Sequence, residues 1–412
     1  MDFTNSKNSV KWSMVNTKYN NFRSVETYWS DPEWLSERML FISGPRQVGK
    51  TTKVQSFFDL DQTSYFNWDS KKVRLEFLKD PDFFSETNSP WICFDEIHKR
   101  KKWKDLLKGT FDTYKNNFHF IVTGSARLET FKKSGDSLTG RYFHTHLFPI
   151  NIPDLVKNNF ILPKSAHDLI TMAASMSEFK NLDILLMCGG FPEPFFKGTE
   201  SFYKRWSNQH NELIVTEDIR DLSTISEIDK IESLVEFISP SVGNLVSYRN
   251  LGLDIETSHT NVKRWMDMLH RVHLIFPISP YSKNIRRSYK SDKKWYFVDW
   301  ASAKTNQFEN YIAASLLRAC ELYRDRFGEK FSLHYVRTHD GAEVDFLLCL
   351  DNKPWLLIEA KEGSPDVSHA IHRFTAELKV PCIIVTKKSN INKKISPQIH
   401  CMSWTKLAQV LP

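Results

Sequence analysis

One string limits this chain's fold more than any other: Gly44-Pro45-Arg46-Gln47-Val48-Gly49-Lys50-Thr51-Thr52. It follows the apolar run Met39-Leu40-Phe41-Ile42 and opens into Lys53-Val54-Gln55-Ser56-Phe57-Phe58, so it reads as strand, glycine loop and helix start. The G-x-x-x-x-G-K-T spacing lets successive backbone N–H groups close round phosphate oxygens, and the N-terminal end of the following helix attracts the same anion. Lys50 would reach the β- and γ-phosphates of ATP, and Thr51 would supply the hydroxyl that holds Mg²⁺. Gly44, Pro45, Arg46, Gln47, Val48, Gly49, Lys50, Thr51 and Thr52 are the expected nucleotide contacts.

Such a loop needs a partner carboxylate at the end of another apolar strand. Trp91-Ile92-Cys93-Phe94-Asp95-Glu96 supplies it. Asp95 would hold the magnesium shell, and Glu96 could orient or deprotonate the attacking water, which implies hydrolysis rather than binding alone. A further strand, Phe120-Ile121-Val122, runs into Thr123-Gly124-Ser125-Ala126-Arg127. There a polar side chain could sense the γ-phosphate or the water, with Ser125 the first choice and Thr123 behind it. The short apolar runs at 39–42, 65–68, 91–94 and 119–122 alternate with amphipathic stretches, which argues a parallel sheet with helices on its faces.

At 412 residues the chain has room for two or three cores. Its 25% charged and 41% hydrophobic composition is that of a soluble globular protein, and no apolar run approaches the roughly 18 residues of a membrane span. The N-terminus lacks the apolar core of a secretory signal. A cytoplasmic protein with no membrane partner is expected. Six cysteines without C-x-x-C spacing read as reduced core residues.

Divided by pattern, residues 1–37 are a lead-in, 38–150 the phosphate-loop core, 151–225 a helical lid broken at Gly189-Gly190-Phe191-Pro192-Glu193-Pro194, and 226–295 a module resembling a winged helix-turn-helix. The module's second helix would turn Ser258, His259, Asn261, Lys263 and Arg264 outward, residue types able to contact phosphates or base edges, although the module could equally pack domains together. The net charge of +7 is clustered, first at Lys99-Arg100-Lys101-Lys102 with Lys104. A second cluster, Lys283, Arg286, Arg287, Lys290, Lys293 and Lys294, is interleaved with Tyr281, Tyr289 and Trp295, and is the better nucleic-acid candidate.

Residues 296–412 read as a second α/β domain, with strands near 331–337, 342–349 and 355–360 and at Cys382–Val385. Gly341-Ala342-Glu343-Val344-Asp345-Phe346 and Leu357-Ile358-Glu359-Ala360-Lys361 would present Asp345, Glu359 and Lys361 together, because alternation puts Glu359 and Lys361 on one face and a hairpin could add Asp345. A restriction-endonuclease-like nuclease needs this set: two carboxylates hold Mg²⁺, the metal activates water, and the lysine steadies charge. Glu309, on a preceding helix, could add a ligand. His339 and Asp340 could tune the site or be ordinary turn residues.

The phosphate loop, Phe94-Asp95-Glu96-Ile97, Thr123-Gly124-Ser125, Leu138-Thr139-Gly140-Arg141 and Gly189-Gly190-Phe191-Pro192-Glu193 together resemble the prokaryotic AAA-type ATPase family whose members end in a restriction-endonuclease-like domain of unassigned function. The resemblance runs from about residue 20 onward. It implies that the Thr-Gly-Ser stretch is a first sensor and that Arg141 is a candidate phosphate-contacting finger, with Arg46 and Arg127 competing for the role, although an arginine beside the sheet could equally bind a structural carboxylate. Rings are frequent in AAA-type proteins, so a homo-oligomer is compatible with it, though no interface here compels one. Two functions fit the residues. One is an ATP hydrolase acting on DNA, whose terminal domain cuts with Mg²⁺. The other is a nucleotide switch whose terminal domain only binds a partner, nucleic acid or protein.

Overall fold

The computed structural model describes Trp29 and residues 37–124, 138–156, 161–219, 227–282, 292–363 and 366–412. Strands β1 (Met39–Ser43), β2 (Tyr65–Asn67), β3 (Trp91–Asp95), β4 (His119–Thr123) and β5 (Tyr142–His146) form an all-parallel sheet in the order β2-β3-β4-β1-β5. Strand alternation decides which face each side chain covers. Leu40, Ile42, Cys93 and Ile121 enter one apolar cluster with Trp29 and Val54, while Met39, Phe41, Ile92, Phe94, Phe120 and Val122 enter another on the opposite face. Both faces are therefore covered, as a parallel sheet requires.

The first four strands lie where the apolar runs place them. β5 was not foreseen. Its sequence, Tyr-Phe-His-Thr-His, has no apolar run because it is an edge strand whose side chains are mostly half-exposed. Helix α1 (Lys50–Phe57) leaves the phosphate loop, and α2 (Trp103–Tyr114) packs Trp103, Leu107 and Phe111 against the sheet.

Short helices then lead to α3 (Glu200–Leu213), which continues into a π-helical turn, Ile214–Ile219. Gly189, at φ 68°, ends one of the short helices, and Phe191 precedes the next. Two further helices, α4 (Tyr248–Asp254) and α5 (His259–Arg271), are followed by the antiparallel pair β6 (Ile275–Pro280) and β7 (Lys294–Phe297). On α5 the apolar positions Val262, Trp265, Met266 and Leu269 are buried, while His259, Lys263 and Arg264 are exposed.

β6 pairs with β8 (Phe331–Arg337), which continues through β9 (Glu343–Leu350), β10 (Lys353–Lys361), β11 (Cys382–Thr386), β13 (Ile399–Ser403) and β12 (Asn392–Ser396). The result is an eight-stranded sheet in the order β12-β13-β11-β10-β9-β8-β6-β7. The expected boundary at 295/296 thus cuts β7. One apolar cluster runs from Ile150 through the lid helices to Leu411, so the expected segments 151–225, 226–295 and 296–412 share a core, while a second cluster, from Val336 to Cys401, lies within 296–412 alone. The physical link is α6 (Gln307–Phe327), whose buried residues Tyr311, Ile312, Leu316 and Tyr323 serve both sides. All six cysteines are buried and free, as expected. Among the described residues no helix is long and apolar enough to cross a membrane.

Candidate functional site

The loop after β1 takes its shape from three left-handed residues, Gly44 (φ 152°), Gln47 (φ 60°) and Gly49 (φ 91°). Gly44 is required for a second reason: a Cβ there would stand 2.2 Å from the Leu147 carbonyl oxygen. Lys50 Nζ donates to the Gly44 and Pro45 carbonyl oxygens at 2.9 and 2.8 Å, so its ammonium caps the concavity formed by the loop backbone. An anion entering the loop would meet that charge together with the first N–H groups of α1.

Sheet order brings the distant motifs together. β4 lies between β3 and β1, and Thr123 is paired with Asp95 on one side and Ile42 on the other. Thr51 Oγ1 donates to Asp95 Oδ2 at 3.0 Å, Thr123 Oγ1 donates to Asp95 Oδ1, and the Tyr65 hydroxyl donates to Asp95 Oδ2. Hydroxyl and carboxylate oxygens of this kind suit a hard divalent cation such as Mg²⁺, and Thr51 with Asp95 would hold it. The fit is with the donor chemistry of the site. Glu96, at φ 56°, follows immediately, with its N–H on the Thr123 carbonyl at 3.0 Å and its carboxylate 3.4 Å from Lys99 Nζ. Burial lifts the Glu96 carboxyl above the ordinary range, and Lys99 and Lys50 pull against that shift.

Residues 36–156 match the family described as an AAA domain. Over this stretch the chain is similar to AAA-type domains. Residues 179–306 and 304–407 match two families described only as domains of unknown function, DUF8612 and DUF4143. The chain is similar to two uncharacterised proteins of Methanocaldococcus jannaschii. MJ1544 is 24% identical over 380 residues, spanning 88% of this chain and 82% of that protein. MJ1637 is 24% identical over 384 residues, spanning 82% and 79%. Among solved structures, the ORC1 protein of Aeropyrum pernix in complex with DNA is 12% identical, covers 68% of this chain and 88% of that one, and has a TM-score of 0.29. A likeness at that score carries no argument about fold or activity.

Arg141 takes the second of its two expected roles, a pairing with a structural carboxylate. It precedes β5, and its carbonyl accepts from the Met39 N–H at the start of β1, whereas the loop that begins at Gly44 leaves the other end of that strand. Five strand residues separate the two ends, about 13 Å or more. Its guanidinium instead grips Asp112 on α2, Nε to Oδ1 at 2.8 Å and Nη2 to Oδ2 at 2.9 Å. Arg141 cannot reach this chain's own phosphate loop from there. Arg46 does lie in the loop, paired with Glu217 and Asp218. Ser125 and Arg127 fall outside the described residues. Tyr65 was missed: its partner is 30 residues away on the neighbouring strand, and a lone tyrosine in a strand carries no local signal.

A second acidic site lies in the eight-stranded sheet. The β9–β10 hairpin brings Asp345 and Glu359 together: the Asp345 N–H donates to Glu359 Oε2 at 3.3 Å, and the Ala360 N–H donates to Asp345 Oδ2 at 2.9 Å. Lys361 Nζ lies 2.6 Å from Glu359 Oε1. Glu309, in the first turn of α6, accepts from the Tyr296 hydroxyl at 2.8 Å and lies 3.7 Å from Lys294 Nζ. Lys294 in turn holds Glu343 at 2.5 Å. Gly243, at φ 77°, lets the backbone pass here, since a Cβ would stand 2.7 Å from Glu309 Oε1.

Burial, then the charge of Asp345, pushes the Glu309 and Glu359 carboxyls well above the usual carboxylate range. Burial also raises Asp345, against the pull of Lys294. Oxygen donors of this class suit Mg²⁺, yet Glu309, Asp345 and Glu359 do not converge to within 4.8 Å of one another. The group that does, among the described residues, is His146, Glu321 and Asp325. There His146 already bonds Asp325 Oδ2 through Nδ1 at 2.8 Å and through its N–H at 2.9 Å, and Glu321 takes Arg324 at 2.7 Å.

Lys294 and Trp295 are a further correction. Both were read into an outward-facing basic and aromatic cluster, and both are buried, Lys294 because Glu343 and Glu309 neutralise it. Lys283, Arg286, Arg287, Tyr289 and Lys290 fall outside the described residues. Glu343, Lys294 and Tyr296 belong to the acidic site, and of these only the period-two spacing of Glu343 and Asp345 could have been read in advance.

Proposed function

We propose that this chain binds and hydrolyses ATP with Mg²⁺ in its AAA-type domain and couples that turnover to DNA. The observation that carries the reading is the convergence of Thr51, Thr123 and Tyr65 on Asp95, with Glu96 alongside and Lys50 over the loop. In this reading Lys50 neutralises the β- and γ-phosphates, Thr51 and Asp95 position the metal, and Glu96 takes a proton from the attacking water. His259, Lys263 and Arg264, exposed on the second helix of a winged-helix-like module, support a duplex-facing role. The carboxylates Asp345, Glu359 and Glu309 with Lys361 support Mg²⁺-dependent phosphodiester cleavage by a restriction-endonuclease-like terminal domain.

The test is one preparation assayed for both activities. DNA should stimulate ATP turnover, and Mg²⁺-dependent nicking should vanish in Asp345→Ala. Equal ATPase rates with and without DNA and no cut in any substrate would remove the DNA-coupled reading. A second reading has its own support: the acidic site is already satisfied by Lys294, Lys361 and two backbone N–H groups, and its three expected ligands do not all close to within 4.8 Å of one another. In it the terminal domain binds a partner without chemistry, and nucleotide turnover is slow.

A further inference from the structure

The lid reaches the phosphate loop at two consecutive residues. Arg46 Nη1 lies 2.9 Å from Asp218 Oδ1 and Nη2 lies 2.5 Å from Glu217 Oε2, so each arm of the guanidinium has its own carboxylate. Gln47, held in a left-handed conformation that non-glycine residues seldom adopt, has its Oε1 3.0 Å from His210 Nδ1. Burial, helped by Arg46, pulls His210 down to about 4, so at neutral pH the ring is uncharged and Nδ1–H donates to Gln47. Consecutive helical residues ordinarily point about 100° apart. Glu217 and Asp218, which nevertheless both meet one guanidinium, sit on the π-helical turn that ends α3, a geometry frequent at functional sites.

The acids also bear on the nucleotide. Burial raises the Asp218 carboxyl, with Arg46 and, more weakly, Lys50 opposing that shift. Asp218 therefore lies within the field of the lysine expected to meet phosphate. Burial alone would lower the Arg46 pKa, but Asp218 and Glu217 outweigh it and raise it, a measure of how closely they hold its charge. Two carboxylates on the two Nη arms neutralise the guanidinium and leave it fewer N–H groups and less charge to offer a phosphate.

Resting on the ATP reading above, we propose that Glu217 and Asp218 are positioning residues that hold Arg46 away from the phosphates, and that a bound triphosphate takes Arg46 from them. Phosphate and the acid pair compete for one cation. The γ-phosphate would then draw Arg46 into the loop, and the π-turn with α3 would be free to move. A ligand shifts such an equilibrium only through its different affinity for the two arrangements, and here the difference is the exchange of an acid pair for a phosphate.

The test measures dissociation constants of ATP and ADP, by titration calorimetry on the full chain with Mg²⁺, for wild type, Asp218→Asn, Glu217→Gln, Asp218→Glu, Arg46→Ala and Asp218→Asn with Arg46→Ala. Asp218→Asn should tighten ATP roughly tenfold and ADP less, because ADP lacks the γ-phosphate. Asp218→Glu should restore the wild-type value. In the Arg46→Ala background, Asp218→Asn should confer little of that gain. Equal affinities for wild type and Asp218→Asn, or an undiminished gain without Arg46, would overturn the proposal while leaving the ATPase reading intact. Wild type that binds no nucleotide would instead remove that reading and this one with it. A variant without cooperative melting is replaced by Glu217→Gln, which carries the same expectation.

Discussion

Thr51 Oγ1 donates to Asp95 Oδ2 at 3.0 Å, tying the start of α1 to the end of β3 across the strand that separates β1 from β3. The same carboxylate accepts from Thr123 and Tyr65, so three hydroxyls from three elements fix its orientation before any ligand arrives. A metal entering there would find its protein oxygens already placed, and preorganisation of this kind lowers the cost of binding.

Tyr65 supplies a test of that arrangement. Tyr65→Phe removes one donor and keeps the ring, and loss of one such bond is worth about 1 kcal/mol, or roughly a fivefold rise in the Mg²⁺ concentration that half-saturates ATP turnover. A Mg²⁺ titration of the variant checks it. An unchanged midpoint would mean that Thr51 and Thr123 suffice.

Glu96 should set the acid limb of the pH profile. Burial raises its pKa, so the protonated form, which cannot accept a proton from water, persists to higher pH than for an exposed glutamate. Turnover should fall as pH drops through that raised value. Glu96→Gln should lose about 10²- to 10⁴-fold in kcat, keep its affinity for ATP and show no acid limb. Profiles of kcat against pH for the two chains decide it.

The second acidic site predicts a metal effect that grows with pH. Glu309 and Glu359 are raised to about 7 by burial and by Asp345, so the folded chain favours their protonated forms. Their contribution to stability is fully present below the ordinary glutamate value of about 4.3, and it is lost as pH rises through the raised pKa. Mg²⁺ or Mn²⁺ should therefore raise the melting temperature more at pH 8 than at pH 6, and Asp345→Asn should abolish that rise. No metal effect at pH 8 would favour the reading without chemistry.

Asp154 and Arg318 join the lid to α6 in a buried two-pronged pair, at 2.6 and 2.8 Å. Removing one partner leaves the other charge buried and alone, so Asp154→Ala should cost about 3–5 kcal/mol. Asp154→Ala with Arg318→Met should cost clearly less than the two single changes summed. Urea unfolding of the three variants measures this.

What could be read in the chain depended on how local the physics is. The phosphate loop and the strand ending in Asp95-Glu96 were legible because binding phosphate and metal demands particular residues at fixed spacing. Glu359 and Lys361 were legible because strand alternation is a two-residue rule. β5 and β12 were not, since one is a half-exposed edge strand and the other reads Asn-Lys-Lys-Ile-Ser, and neither has the apolar run that marks a buried strand. Arg141 kept two roles open because sequence order does not say at which end of the sheet a residue lies. Lys294 looked like surface charge because its neutralising partners, Glu309 and Glu343, come from α6 and β9. The pairing of Arg46 with Glu217 and Asp218 spans more than 170 residues and leaves no mark in either neighbourhood.

The most direct measurement is steady-state ATP hydrolysis in one Mg²⁺ buffer by wild type, Lys50→Ala and Glu96→Gln. Wild type should turn over ATP, Lys50→Ala should neither bind nor hydrolyse it, and Glu96→Gln should bind without hydrolysing. Hydrolysis by Lys50→Ala at the wild-type rate would contradict the account, because the chemistry would then lie somewhere other than the loop between β1 and α1.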